Sequence, residues 1–311
     1  MDKKHYCLVG FGNHSKSKII PAIKKSNGII DGVVSKKTKN FGSLIFFSSI
    51  DEAFTKVNSN TIFIISTPPD LHYSQAIDVV KRGHNVFIEK PVSLSVIDLE
   101  NIISISDKKN VFFAETLMHE YSDYFQNFIS FFNLNKHEIK KIVVNFILPS
   151  LPKDTFRDND ATYPINLFDI GCYPISLINK LNSKAKYKIT EILNIGNVFM
   201  EQYSIKTKIL NANVTINFGV RDSYQNFITI TKTDDVEYKF EPFFFGREGN
   251  RTIQKIQGKQ ISTKEVYVKD CFQTLFEKNN QYWIDTQMTR NRHMLNNLSS
   301  LENLFKQYND I

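Results

Sequence analysis

Five short apolar runs, Tyr6 to Val9, Ile29 to Val34, Thr61 to Ile65, Asn85 to Ile88 and Val111 to Ala114, alternate with longer helical stretches from Met1 to about Glu115. Leu71 to Lys81 reads as one such helix. β-Rich runs separated by helices imply right-handed βαβ units, so this part is expected to be α/β with a parallel sheet.

Beyond His119 the texture changes. An amphipathic stretch, Tyr121 to Phe132, leads to a long strand, Ile139 to Leu148, and a helix is expected over Leu167 to Lys180. Strands then follow in succession at Ile189 to Val198, Thr207 to Phe218, Phe227 to Thr231 and Val236 to Phe240. Strands with few helices between them imply an α+β domain with a mostly antiparallel open sheet. A polar helix from about Trp283 to Tyr308 closes the chain. At 311 residues the chain exceeds one hydrophobic core, and the expected division is 1–118 and 119–311.

Composition limits the remaining classes. A hydrophobic fraction of 41% with 23% charged residues belongs to a globular protein and excludes disordered and collagen-like chains. No stretch approaches the roughly 20 apolar residues of a membrane span, and the N-terminus lacks the apolar core of a signal peptide. A cytoplasmic protein is expected. Cys7, Cys172 and Cys271 are widely spaced without a CxxC, which fits a reduced compartment and small buried side chains, and no metal site is expected. The net charge of +7 is scattered among acids and asparagines, so nucleic acid is not an expected partner.

Chemistry concentrates where the first-half strands end. "VGFGNH" follows the first strand with Gly10 and Gly12, whose lack of side chains lets backbone N–H groups approach a pyrophosphate. The third fingerprint position is Ser15, and Pro21 implies a late helix start. An ordinary strand-to-helix turn is the plain alternative. Asp31 lies at the count of an acid that holds a ribose 2′-OH, but it begins its strand, whereas Ser35, Lys36 and Lys37 end it. A hydroxyl and two ammonium groups suit a 2′-phosphate, which favours NADP(H) over NAD(H) unless the lysines are simply solvated. Thr67, Pro68 and Pro69 turn the chain away from the next strand, and His72 on the following helix reads first as structural. Glu89, Lys90 and Pro91 end the strand after that. A lysine leaving a buried strand is partly desolvated, which lowers its pKa toward acid–base use, while Glu89 can orient it and Pro91 stops the strand.

In this order and spacing, "VGFGNH", "STPPDLH", "GHNVFIEKP" and "FDIGCYPI" resemble the Gfo/Idh/MocA oxidoreductases, NAD(P)-dependent enzymes acting mostly on sugars, inositols and related polyols. The resemblance covers essentially the whole chain. It implies a Rossmann domain, with cofactor contacts from Gly10, Phe11, Gly12, Asn13, His14, Ser35, Lys36, Lys37, Thr67, Pro68, His72, Glu89 and Lys90. It places Lys90 near the nicotinamide and the reacting carbon. The family's second catalytic element, an Asp followed four residues later by His on a helix, corresponds here to Asp169 and Tyr173, which helical spacing would set on one face.

Tyrosine at that position resembles the branch of glucose-fructose oxidoreductase, dimeric dihydrodiol dehydrogenase and sugar-nucleotide ketoreductases, in which it is the proton donor or acceptor. The Lys90 ammonium would stabilise its phenolate, and Asp169 would bind a substrate hydroxyl or orient the tyrosine. Substrate contacts are expected from Met118, Arg157, Tyr163, Asp169 and Tyr173, with Arg157 suited to a diphosphate. Glu115 and His119 are expected to line the same cleft. "EPFFFGREGNR" offers further aromatics and arginine, although Phe243 to Phe245 also read as core.

The leading function is therefore an NADP(H)-dependent oxidoreductase of a sugar or sugar nucleotide. A non-catalytic dinucleotide-binding regulator and a dehydrogenase of a small cyclic diol or dicarbonyl are the alternatives. The open sheet face resembles the family's oligomer interface and implies a homodimer or higher homo-oligomer.

Overall fold

The computed structural model describes residues 3–36, 40–149, 165–194, 200–221 and 223–311. The chain forms two compact units, Met1–Met118 with Asp270–Leu295, and His119–Lys269 with Asn296–Ile311. Residues 270–295, which the two-part division of the sequence assigns to the second domain, return to the first unit.

In the first unit, strands β1 (His5–Val9), β2 (Ile29–Val34), β3 (Phe46–Phe47), β4 (Ile62–Ile65), β5 (Val86–Ile88) and β6 (Phe113–Glu115) lie in the order β3-β2-β1-β4-β5-β6, all parallel. Helices α1 (Ile20–Lys25), α2 (Ile50–Phe54), α3 (His72–Lys81) and α4 (Val96–Lys109) lie between them in sequence. β4 and β5 are buried along their whole length, as strands covered on both faces must be. The strand order reverses between β1 and β4, so the loops leaving their carboxyl ends part at the point where sheets of this kind bind ligands. The two-residue β3 was not among the expected strands.

The second unit contains α5 (Asp123–Asn135), α6 (Ile165–Asp169) and α7 (Cys172–Leu181). Its strands are β7 (Ile139–Leu148), β8 (Lys188–Leu193), β9 (Gln202–Ile209), β10 (Ala212–Val220), β11 (Gln225–Lys232), β12 (Glu237–Glu241), β13 (Gly249–Gln257) and β14 (Gln260–Val268). They form one sheet in the order β14-β13-β12-β11-β7-β10-β9-β8, in which β7 and β10 are parallel and the other neighbours antiparallel. One face carries the core: Phe128 of α5 packs edge-on against Phe240 at 5.0 Å. The other face is polar, and a side-chain chain crosses it, with Ser204 donating to Asn217 at 3.0 Å and Asn217 to Asn145 at 2.8 Å.

Two sequence expectations are corrected here. The single strand over 207–218 is a hairpin, β9 to β10, that reverses at Leu210 with φ of 51°. The single helix over 167–180 is two helices, α6 and α7. Pro174 cannot lie deep in a helix, and it falls in the first turn of α7. A β-carbon on Gly171 at the junction would stand 2.2 Å from the Leu167 carbonyl oxygen.

Helices α8 (Cys271–Glu277) and α9 (Asn280–Asp285) complete the first unit, and α10 (Gln287–Asn309) runs from that unit into the second. Trp283 thus lies in α9 rather than opening the last helix. It is fully buried, with ring centroids 5.0 Å from Phe87 and 6.0 Å from Phe112.

Candidate active site

In the first unit the loop after β1 is shaped by Gly10, whose φ of 101° disfavours any side chain and whose β-carbon would meet the Ser66 carbonyl oxygen at 2.9 Å. Gly12 has no atom within 4 Å of where a β-carbon would stand, so this backbone is open to close approach by a ligand. Ser15, in the third fingerprint position, is fully buried, and its hydroxyl bonds the Gly10 carbonyl at 3.1 Å and the Ser66 hydroxyl at 2.7 Å. It does the close-packing work of the missing glycine and also ties the β1 loop to the end of β4. One π turn, Ser15–Ile19, carries the chain into α1, with Pro21 in the first turn.

Glu89, directly after β5, is the hub of this edge. It is buried, accepts the Thr116 hydroxyl at 2.6 Å, and faces His14 Nε2 at 3.2 Å. Burial alone pushes the carboxyl up. The His14 imidazole, the Thr116 hydroxyl and the Lys90 ammonium outweigh that effect and hold it below the ordinary carboxylate range. Lys90 is half-buried and is joined to Pro91 by a cis peptide. Glu115 secures the next turn by accepting the Val92 N–H at 2.9 Å.

His72 is 1% exposed, and its ring nitrogens lie 2.8 Å from the Pro91 carbonyl and 2.9 Å from the Thr67 carbonyl. Burial lowers its pKa against the opposing pull of those carbonyls and of Glu89, while Lys90 lowers it further. His72 thus sits between the loop after β4 and the turn at Pro91. Thr67 bonds Gln75 at 2.7 Å, and Pro68 opens the turn into α3.

At the end of β2, the Ser35 N–H is fixed to the Phe47 carbonyl at 2.9 Å, and Lys36 is exposed; Lys37 lies outside the described residues. Asp31 is engaged at the other end of that strand by His5 and Thr61, each at 2.6 Å. Phe11 packs edge-on against Phe46 at 5.0 Å, and Asn13 is exposed. The open backbone at Gly12, the positive φ at Gly10 and the polar end of β2 fit a dinucleotide.

In the second unit Asp169 ends α6, 4% exposed, and Tyr173 begins α7, half-buried. The Tyr173 ring stacks on His119 at 5.2 Å and meets Phe146 at 5.0 Å and Phe244 at 6.0 Å. His119 is 1% exposed within this aromatic group, while Met118 is buried at the end of the first unit. Arg157 and Tyr163 lie outside the described residues.

Arg251 is buried and donates to the carbonyls of Phe245, Arg247, Gly249 and Asn250, so it folds the 245–251 turn. Phe243 and Phe244 are core. The cysteines are buried, and burial followed by Asp31 pushes the Cys7 thiol up to about 12. Among the described residues no cluster of metal-ligating side chains occurs, and no helix is long and apolar enough to cross a membrane.

Sequence reasoning missed Thr116 and Ser66. A signal existed for the first: β5 and β6 run parallel with Ile88 opposite Glu115, so the residues that follow them are neighbours.

Residues 4–116 match the sequence model of the oxidoreductase family with an NAD-binding Rossmann fold. An uncharacterized oxidoreductase of Rhizobium meliloti is 22% identical over 211 residues, 64% of this chain and 62% of its own length. The chain thus matches about three fifths of that relative. Among solved structures, KijD10, a 3-ketoreductase from Actinomadura kijaniata in complex with NADP and TDP-benzene, superposes with a TM-score of 0.78 at 14% identity, covering 97% of this chain and 96% of that one. Aldose-aldose oxidoreductase from Caulobacter crescentus, complexed with glycerol, gives 0.79 at 14% identity, covering 99% and 98%. At these identities the likeness is one of fold.

Proposed function

We propose, from the match of residues 4–116 to the oxidoreductase family with an NAD-binding Rossmann fold, that this chain is an NADP(H)-dependent oxidoreductase of a sugar or sugar nucleotide. The observation that carries the reading is the carboxyl edge of the parallel sheet. There an open glycine backbone at Gly12 and the Glu89–Lys90 turn are joined through His14 in one network. A bound nicotinamide dinucleotide supplies hydride exchange with a carbinol or ketone carbon.

The chain's own residues manage position and protons. Tyr173 exchanges the proton of the reacting oxygen, Lys90 supplies an ammonium at the carboxyl edge of the parallel sheet, and Asp169 holds a substrate hydroxyl. Ser35, Lys36 and Lys37 take the 2′-phosphate of NADP(H), and Met118, Arg157 and Tyr163 complete the substrate contacts. Paired fluorescence titrations with NADPH and NADH test the cofactor, with NADPH expected to bind at least about tenfold tighter, a difference of 1.4 kcal/mol. Equal affinities would remove the role of the β2 end. Turnover on an identified sugar substrate is expected to fall in both Lys90→Ala and Tyr173→Phe; full turnover in both would sink the mechanism.

The same reading makes the protein a homo-oligomer through the polar face of the second unit's sheet. That face is electrically lopsided. Register sets Lys188, Lys206 and Lys208 against one acid, Glu191, at its β8–β9 end, and Glu237, Glu241 and Glu265 against one base, Lys239, at its β12–β14 end, so two copies packed about a two-fold axis along the strands lay unlike net charges together. Light scattering is expected to give a dimer or larger species that Asn217→Arg reduces to a monomer.

A further inference from the structure

We propose that Glu120, acting through His119, is a positioning residue for the Tyr173 phenol. The inference rests on the reading in which Tyr173 exchanges the proton of the reacting oxygen, and it extends that reading to a carboxylate outside the reacting set.

Tyr173, Ser176 and Lys180 stand at positions i, i+3 and i+7 of α7, which is one face of a helix. The chain at His119 and Glu120 lies along that face. His119 stacks its ring on Tyr173 at 5.2 Å, with the two planes 29° apart. Glu120, the next residue, reaches the following turns: one carboxylate oxygen accepts the Ser176 hydroxyl and the other takes the Lys180 ammonium at 3.2 Å. Ser176 is fully buried, and a charged acceptor gives its hydroxyl the stronger kind of hydrogen bond.

The backbone of the same two residues is fixed from α5. Ser122 caps that helix by accepting the Phe125 N–H at 3.2 Å, and its hydroxyl donates to the His119 carbonyl at 2.8 Å. Gln126 donates to the Glu120 carbonyl at 2.7 Å. The His119 ring itself meets Phe125 edge-on at 5.2 Å and Phe244 at 5.1 Å. Held by its backbone from α5 and by the Glu120 side chain from α7, the imidazole has little freedom, and the phenol stacked on it is fixed in turn. Lys180 keeps 34% of its side chain exposed, so its pair with Glu120 adds little to stability and acts on geometry instead. Proton exchange is sensitive to geometry, since a group misplaced by about 1 Å can lose about a hundredfold in rate.

Fluorine NMR of the full chain labelled with 3-fluorotyrosine tests the proposal. The resonances that vanish in Tyr173→Phe and Tyr203→Phe identify those two residues, and Tyr203, fully buried against Phe218 in the same unit, serves as the control. Glu120→Ala, and separately Ser176→Ala/Lys180→Ala, are expected to move the Tyr173 resonance and leave that of Tyr203 in place. His119→Phe keeps a ring against the phenol and is expected to hold the resonance nearer its wild-type position than His119→Ala does. On the sugar substrate used to test Lys90 and Tyr173, Glu120→Ala is expected to lower kcat about tenfold with KM within about twofold of wild type. An unmoved Tyr173 resonance in both the Glu120 and the Ser176/Lys180 variants would overturn the inference. So would movement of the Tyr203 resonance along with it, which reports a general loosening of the unit, or a loss confined to KM. Failure of the underlying reading has a different signature, wild-type kcat in Tyr173→Phe itself.

Discussion

Replacing Glu89 by Gln tests whether the carboxyl edge is organised by a buried charge. Glutamine keeps an acceptor for the Thr116 hydroxyl, which stands 2.6 Å from the carboxylate, but removes the charge that faces His14 at 3.2 Å. A hydrogen bond to a charged acceptor contributes about 1.5–3 kcal/mol and a neutral one about 0.5–1.5, a difference of about 1 kcal/mol. The His14 pair adds about 0.2–1 kcal/mol, because the imidazole is partly exposed and screened. The expected loss is about 1–2 kcal/mol in the first unit.

The pH dependence has a definite sign. Glu89 is held below its ordinary range by His14, Thr116 and Lys90 against the effect of burial, so its contribution is complete above the unfolded carboxylate pKa of about 4.3 and disappears as pH falls through the lower folded value. The protein's one tryptophan, Trp283, is buried in the first unit and reports its unfolding there. Urea unfolding followed by tryptophan fluorescence should separate wild type and Glu89→Gln near about pH 6 and bring them together toward about pH 3. Equal stability near neutrality, or a gap that persists in acid, would refute the charged hub.

Three further perturbations follow from the geometry. Gly10→Ala imposes a side chain at a φ of 101° and 2.9 Å from a carbonyl oxygen, so it should cost at least about 1–2 kcal/mol and abolish dinucleotide-dependent fluorescence changes; wild-type titration curves would contradict it. Arg251→Gln strands carbonyls that the guanidinium now serves, and a loss of about 3 kcal/mol or more is expected from differential scanning calorimetry, with retained NADPH binding showing that the damage stays in the second unit. His72→Phe preserves ring bulk but removes the one hydrogen bond that a neutral imidazole can donate to the Thr67 or the Pro91 carbonyl, so amide exchange should quicken in the loop it serves, 66–69 or 90–93; unchanged exchange in both loops would show that the ring tethers neither.

The parallel sheet was legible because its strands are short, apolar along their length and separated by helices, a pattern with few competing folds. The antiparallel sheet was less so. Strands β13 and β14 carry mixed polar side chains, with β14 exposed for most of its length, and they lack the alternation that marks a half-buried strand. The β9–β10 hairpin turns through Leu210 and Asn211, without a glycine to announce it, so two strands read as one. Chain return was invisible for a different reason: α8 and α9 join the first unit through Trp283, Phe87 and Phe112, contacts between residues far apart in sequence that no local pattern encodes.

The Asp169–Tyr173 element shows how a four-residue spacing can be read as one helix where the chain forms two. Four-residue spacing gives one face only if the helix between the two residues is continuous, and here Ile170 and Gly171 interrupt it. The signal was present, since Gly171 precedes Pro174 by three residues and proline deep in a helix removes a backbone donor and collides with an earlier carbonyl. The interruption gives the two residues different supports. Asp169 closes α6 in a buried position, whereas Tyr173 opens α7 against His119, Phe146 and Phe244. The aromatic packing therefore sets where the phenol stands. A change in that packing, such as Phe146→Leu, acts directly on Tyr173, whose ring Phe146 meets at 5.0 Å.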